Sequence, residues 1–81
     1  MKVQAAYFGA LRARLGLDEQ CLTLAAGISA EQAAEAACGH LGPEWPAALR
    51  LAVNDEFVPG HTILREGDRL ALLPPVSGGS L

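Results

Sequence analysis

A single stretch, Ala30 to Cys38, is rich in alanine and free of Gly, Pro and β-branched residues, so it favours helix. Pairs of short segments flank it, and their apolar residues recur with the period of two that marks strands. A chain with one good helix and two flanking hairpins has few ways to bury its apolar side. The economical one lays the helix across one face of a sheet. The limits of the helix are also legible. Ser29 is an N-cap type, Gln32 three residues later completes a capping box, and Glu31 suits the positive end of the helix dipole. Gly39 is placed at the C′ position.

The flanking segments complete the frame. Lys2 to Phe8 alternates Val3, Ala5 and Tyr7 on one side against Lys2, Gln4, Ala6 and Phe8 on the other, and Gly9 ends it. Ala10 to Leu15 is an Arg-bearing turn or short helix closed by Gly16. Glu19 to Leu24 then reads as a strand pairing antiparallel with the first. After the helix, Pro43 and Pro46 limit His40 to Pro46 to loop with one helical turn near Glu44. Trp45 there is a lid on one end of the core. Leu49 to Val53 is a strand, Asn54-Asp55-Glu56 a turn, and Phe57-Val58 a brief return. Thr62 to Leu64 connects to the Glu66-Gly67-Asp68 turn. Arg69 to Leu73 is the last strand, with Leu70 and Leu72 on one face and Arg69, Ala71 and Leu73 on the other. The order β-β-α-β-β, with first and last strands as parallel central neighbours, is an α+β, β-grasp (ubiquitin-like) arrangement: a mixed sheet with one main helix on one face.

At 81 residues the chain is expected to be one folded body, residues 1–73, plus an extended tail, residues 74–81. A body of this size hides only about 60% of its unfolded surface. Since 51% of residues are hydrophobic, a small core suffices. The net charge of −3, with six scattered Lys and Arg, provides no footprint for nucleic acid or an anionic membrane. Cys21 and Cys38 read as free, small apolar residues of a reducing compartment, and neither His lies at ligand spacing from them, so no metal is expected. The start lacks the apolar run of a signal peptide and no stretch would span a bilayer, which makes the cytoplasm the expected location.

The tail carries the functional signal. Pro74 and Pro75 cannot continue a central strand and favour an extended path. Gly78 and Gly79, without Cβ atoms, are thin enough to thread a narrow channel. At about 3.3 Å per residue, the segment from Pro74 to Gly79 reaches roughly 20 Å. The alternation also leaves Phe8 and Leu73 on otherwise polar faces, with Phe57 close to the Asn54 turn. These three form an expected docking patch beneath the tail. No Ser-His-Asp, Cys-His or P-loop arrangement occurs, and the Asp18-Glu19 and Asp55-Glu56 pairs sit at turns, where carboxylates are ordinarily solvated.

Taken together, Tyr7-Phe8-Gly9-Ala10-Leu11-Arg12, Ala52-Val53-Asn54 and the long ending from Glu66-Gly67-Asp68 through Pro74-Pro75-Val76-Ser77-Gly78-Gly79 resemble the small subunit of molybdopterin synthase, a ubiquitin-like sulfur carrier family. The resemblance implies that Gly79 is adenylated, converted to a thiocarboxylate, and donates sulfur in molybdenum cofactor biosynthesis, with Gly78 beside it. It implies a non-catalytic chain that binds no cofactor itself; ATP and a sulfur donor are used by its partners. Those partners are the synthase large subunit and a ubiquitin-activating-like adenylylating enzyme, contacted through Phe8, Phe57, Leu73, Pro74, Pro75 and Val76. Members of the family usually end at the second Gly, whereas Ser80-Leu81 follow here. The readings left open are a native extension removed by a trimming protease, an added remnant, or a chain that kept the fold without carrier chemistry. Alternatives in function are sulfur transfer toward thiamin, cysteine or tRNA thiolation, and a non-covalent ubiquitin-like interaction module or protein modifier.

Overall fold

The computed structural model describes residues 1–75. Five strands, β1 (Lys2–Tyr7), β2 (Glu19–Thr23), β3 (Arg50–Val53), β4 (Glu56–Val58) and β5 (Arg69–Leu73), form one sheet in the order β2-β1-β5-β3-β4. β1 and β5 are the parallel central pair, with Gln4 opposite Arg69 and Tyr7 opposite Leu72. The β1–β2, β3–β5 and β3–β4 pairs are antiparallel. This is the mixed β-grasp sheet that the alternation predicts.

The main helix, α2 (Ala30–Cys38), covers one face. Val3, Ala5, Tyr7, Leu51, Leu70 and Leu72 from the sheet share a buried cluster with Ala30, Ala33, Ala34, Ala37 and Cys38. Alanine on that side keeps the helix axis close to the sheet, so a core poor in aromatics still packs densely. The predicted capping box is present. Ser29 Oγ accepts from the Gln32 amide at 3.2 Å, and Gln32 Oε1 accepts from the Ser29 amide at 2.8 Å. The next two orphan donors find loop carbonyls: Ala30 N–H donates to Thr62 O at 2.8 Å and Glu31 N–H to Gly60 O at 2.9 Å. The β4–β5 connection is thereby tied to the helix start, an anchor that its sequence does not announce.

Four local expectations need correction. β1 stops at Tyr7; Phe8 stays extended but leaves the ladder because Gly9 opens a helix, α1 (Gly9–Leu15), which Gly16 ends in the left-handed region. α2 ends at Cys38 as expected, but Gly39 does not take the left-handed conformation of a C′ glycine. Its φ of −61° is right-handed, and the chain tightens into a 3₁₀ turn, Gly39–Leu41, before Gly42 at φ 123° breaks it. The turn near Glu44 lengthens to a short helix, α3 (Glu44–Ala48). Pro46 is tolerated because it falls in the first turn, where an N–H would lack an intrahelical acceptor. Cys38 is buried as a small apolar residue should be, but Cys21 is exposed on the edge strand β2. Trp45 is half-buried against the core cluster, as expected of a lid.

Candidate functional site: the outer sheet face and the base of the tail

The sheet face away from α2 has no covering element among the described residues. Its pattern follows from register. Phe57 on β4 faces Ala52 on β3, Ala52 faces Ala71 on β5, and Ala71 faces Ala6 on β1. Three alanines thus make a shallow floor across the centre of the face. Larger groups border it. Leu73 lies one pleat beyond Ala71, opposite Arg50, and Phe8 follows Tyr7, the last β1 residue paired with β5. Phe57 is 58% exposed and Phe8 43%, while Leu73 is half-buried. A monomer gains no stability from two Phe side chains in water.

All three predicted docking residues therefore lie on one surface, with Phe57 in the alanine row and Leu73 and Phe8 beyond it, at the end where β1 and β5 finish. Sequence reasoning missed Ala6, Ala52 and Ala71, whose small size makes the floor, and Arg50. The Arg50 guanidinium carbon sits 4.0 Å from the centroid of the Phe57 ring. Alternation alone would have exposed Ala6 and Ala71; the Arg50–Phe57 pairing needs the β3–β4 register.

The tail leaves from this same end. Pro74 is half-buried and Pro75 exposed. Val76, Gly78 and Gly79 lie outside the described residues. At the opposite end of β5 from the tail, Asn54 ties the β3–β4 turn to the start of that strand. Its amide donates to Asp68 Oδ1 at 3.0 Å, its Oδ1 accepts from Arg69 N–H at 3.0 Å, and its own N–H donates to Arg69 O at 2.9 Å. Asp68 Oδ2 in turn accepts from Arg65 N–H at 2.8 Å. This network fixes the register in which β5 carries Leu73 and Pro74 outward.

Titratable chemistry lies on the other side of the sheet. Burial, and then the neighbouring Cys38, push the Tyr7 phenol above its ordinary value; its hydroxyl donates to Gln20 Oε1 at 2.8 Å. Burial, then Glu35, push the Cys38 thiol up. Both favour the neutral, inert form and both face the core. Among the described residues, no cluster of three or more His, Cys, Asp or Glu could hold a metal ion, and no helix is long and apolar enough to cross a membrane. Among the described residues, the body offers an uncovered sheet face with two exposed Phe side chains, and a central strand that runs into Pro74-Pro75.

These features define a class, the ubiquitin-like β-grasp domains. The structure superposes on SAMP1 from Haloferax volcanii with a TM-score of 0.80 at 21% identity, covering 98% of this chain and 100% of that one, a likeness of fold. The chain belongs to the ThiS family, whose profile matches residues 5–79. It is 31% identical to the molybdopterin synthase sulfur carrier subunit of Chlamydomonas reinhardtii, over 98% of this chain and 100% of that protein. It is also similar to a chain in the complex of subunits 1 and 2 of molybdopterin-converting factor from Helicobacter pylori. There the identity is 27% and the TM-score 0.65, over 98% of this chain and 100% of that one.

Proposed function

We propose that this protein is the sulfur carrier and small, non-catalytic subunit of a molybdopterin synthase, and that Gly79 is its reacting position. One observation carries the reading: the central strand β5 ends at Leu73, on the outer face with Phe8 and Phe57, and passes directly into the Pro74-Pro75 exit. The surface that would hold a partner and the segment that would enter its active site are thus contiguous. The resemblance to the Chlamydomonas carrier subunit, and to a chain solved together with its second subunit, supports the same reading.

The chemistry follows from the weakness of a carboxylate as an electrophile. Cleavage of the Gly79–Ser80 amide by a trimming protease frees the Gly79 carboxylate. An adenylylating enzyme joins that carboxylate to the α-phosphate of ATP and releases pyrophosphate. A sulfur nucleophile then attacks the activated carbonyl carbon and AMP leaves, giving the thiocarboxylate. The large subunit receives the loaded tail, and sulfur passes to a pterin precursor. This chain binds no cofactor in the scheme; partner enzymes use the ATP and the sulfur donor, all in the cytoplasm.

The test is the activation step. A chain ending at Gly79, incubated with an adenylylating partner, ATP and sulfide, is expected to exchange one carboxylate oxygen for sulfur. The chain ending at Leu81 stays unchanged without a protease. No ATP-dependent modification of the chain ending at Gly79 would reject the carrier reading.

A further inference from the structure

The first strand–helix junction meets the base of the tail. β1 and β5 run parallel up to the Tyr7–Leu72 pair. Two residues further along each chain stand Gly9 and Pro74, and here the paths part: β1 becomes α1, while Pro74, which has no N–H, cannot extend the ladder. They part in contact. A Cβ on Gly9 would stand 3.3 Å from Pro74 Cγ and 3.9 Å from Pro74 Cδ, the closer of these tighter than an ordinary carbon contact. Gly9 also has φ 54°, in the left-handed region that glycine adopts without cost. Backbone conformation and lack of a side chain together let the Pro74 ring settle against the start of α1.

We infer that Gly9 is a positioning residue for the tail: it forms the seat for Pro74 that sets the direction in which the chain leaves the fold after Pro75. The geometry is local and specific. Gly16, at φ 77°, has the same backbone demand, but a Cβ there would meet nothing within 4 Å, so it shares the strain of a substitution without the contact. Pro75 is exposed and shares the stiffness of Pro74 without being seated. A side chain at position 9 must therefore push on Pro74, because α1 behind it is anchored in the core through the buried Leu11. The value of this seat for delivering Gly79 to a partner rests on the carrier reading above; the seat itself does not.

The experiment uses the full chain and does not depend on sulfur chemistry. A nitroxide attached to Cys21, which is exposed while Cys38 is buried, reports through paramagnetic relaxation on the amides of residues 76–79. Gly9→Ala is expected to change that relaxation profile by about a factor of two or more, while Gly16→Ala leaves it as in the parent; in a Pro74→Ala background Gly9→Ala adds little, the signature of two coupled residues. Should Gly9→Ala fail to fold, Pro74→Ala alone must shift the profile more than Pro75→Ala does. An unchanged profile in Gly9→Ala, an equal change in Gly16→Ala, or equal effects of the two proline substitutions would overturn the inference. A tail that redirects as expected but never carries sulfur would leave the seat standing and remove only the carrier reading.

Discussion

The Arg50 guanidinium lies over the Phe57 ring, 4.0 Å from carbon to centroid, and so holds the most exposed of the large apolar side chains on the outer sheet face. Each residue comes from a different strand, and the β3–β4 register makes them neighbours. Because both remain at the surface, this pairing contributes little to folding, about 0.5–1 kcal/mol. In the proposed complex, the pairing would present the Phe57 ring to the large subunit.

Phe57→Ala is therefore expected to leave the thermal unfolding midpoint nearly unchanged. It should weaken binding of the synthase large subunit by about 2 kcal/mol, roughly thirty-fold. Calorimetric titration beside a melting curve separates the two effects. Equal affinity with an intact fold would remove Phe57 from the docking surface, and Phe8→Ala tests the other side of it in the same way.

The β3–β4 turn yields a prediction about stability. Asn54 and Asp55 both have positive φ, at 51° and 73°, as a two-residue hairpin of the primed type requires. Glycine takes the second of these positions more readily than aspartate, so Asp55→Gly should stabilise the protein by about 0.5–1 kcal/mol. Asn54→Ala should do the reverse, by about 1–3 kcal/mol, because it strains the turn and abolishes both side-chain hydrogen bonds to Asp68 and Arg69. Denaturant midpoints of the two variants should move in opposite directions.

The alternation of β1 and β5 told both which residues are buried and which strands lie at the centre, because Val3, Ala5, Tyr7, Leu70 and Leu72 can share a core only on one side of one sheet. Ser29 and Gln32 were equally legible, since a capping box is closed within four residues. What could not be read depends on distant partners. Asn54 looks like any turn residue until Asp68 is placed next to it, and Gly9 looks like a strand terminator until Pro74 arrives from the other end of the chain. Gly39 misled for a different reason: it does follow the last residue of α2, but nothing local compels it into the left-handed conformation, and it starts a 3₁₀ turn instead.

Alkali should weaken the fold in a defined window. Tyr7 and Cys38 are neutral when protonated, and burial raises both above their ordinary values of 10.0 and 9.0. The unfolded chain thus loses these protons first. The stability they contribute is fully present below those ordinary values and is lost as pH rises through the higher folded values. In Cys38→Ala the decline should begin at higher pH, and in Tyr7→Phe its later part should flatten. The slope of stability against pH is the readout, since both changes also alter packing. Slopes identical to the parent would refute the assignment.

Sulfur carriage at Gly79 leaves a mass signature, so intact-mass spectrometry of the protein purified from its own host is the decisive measurement. The expected spectrum shows a chain that has lost Ser80-Leu81, with a fraction in which one oxygen at Gly79 is replaced by sulfur. A population that keeps Ser80-Leu81 throughout, even when the cells are making molybdenum cofactor, would contradict the carrier role.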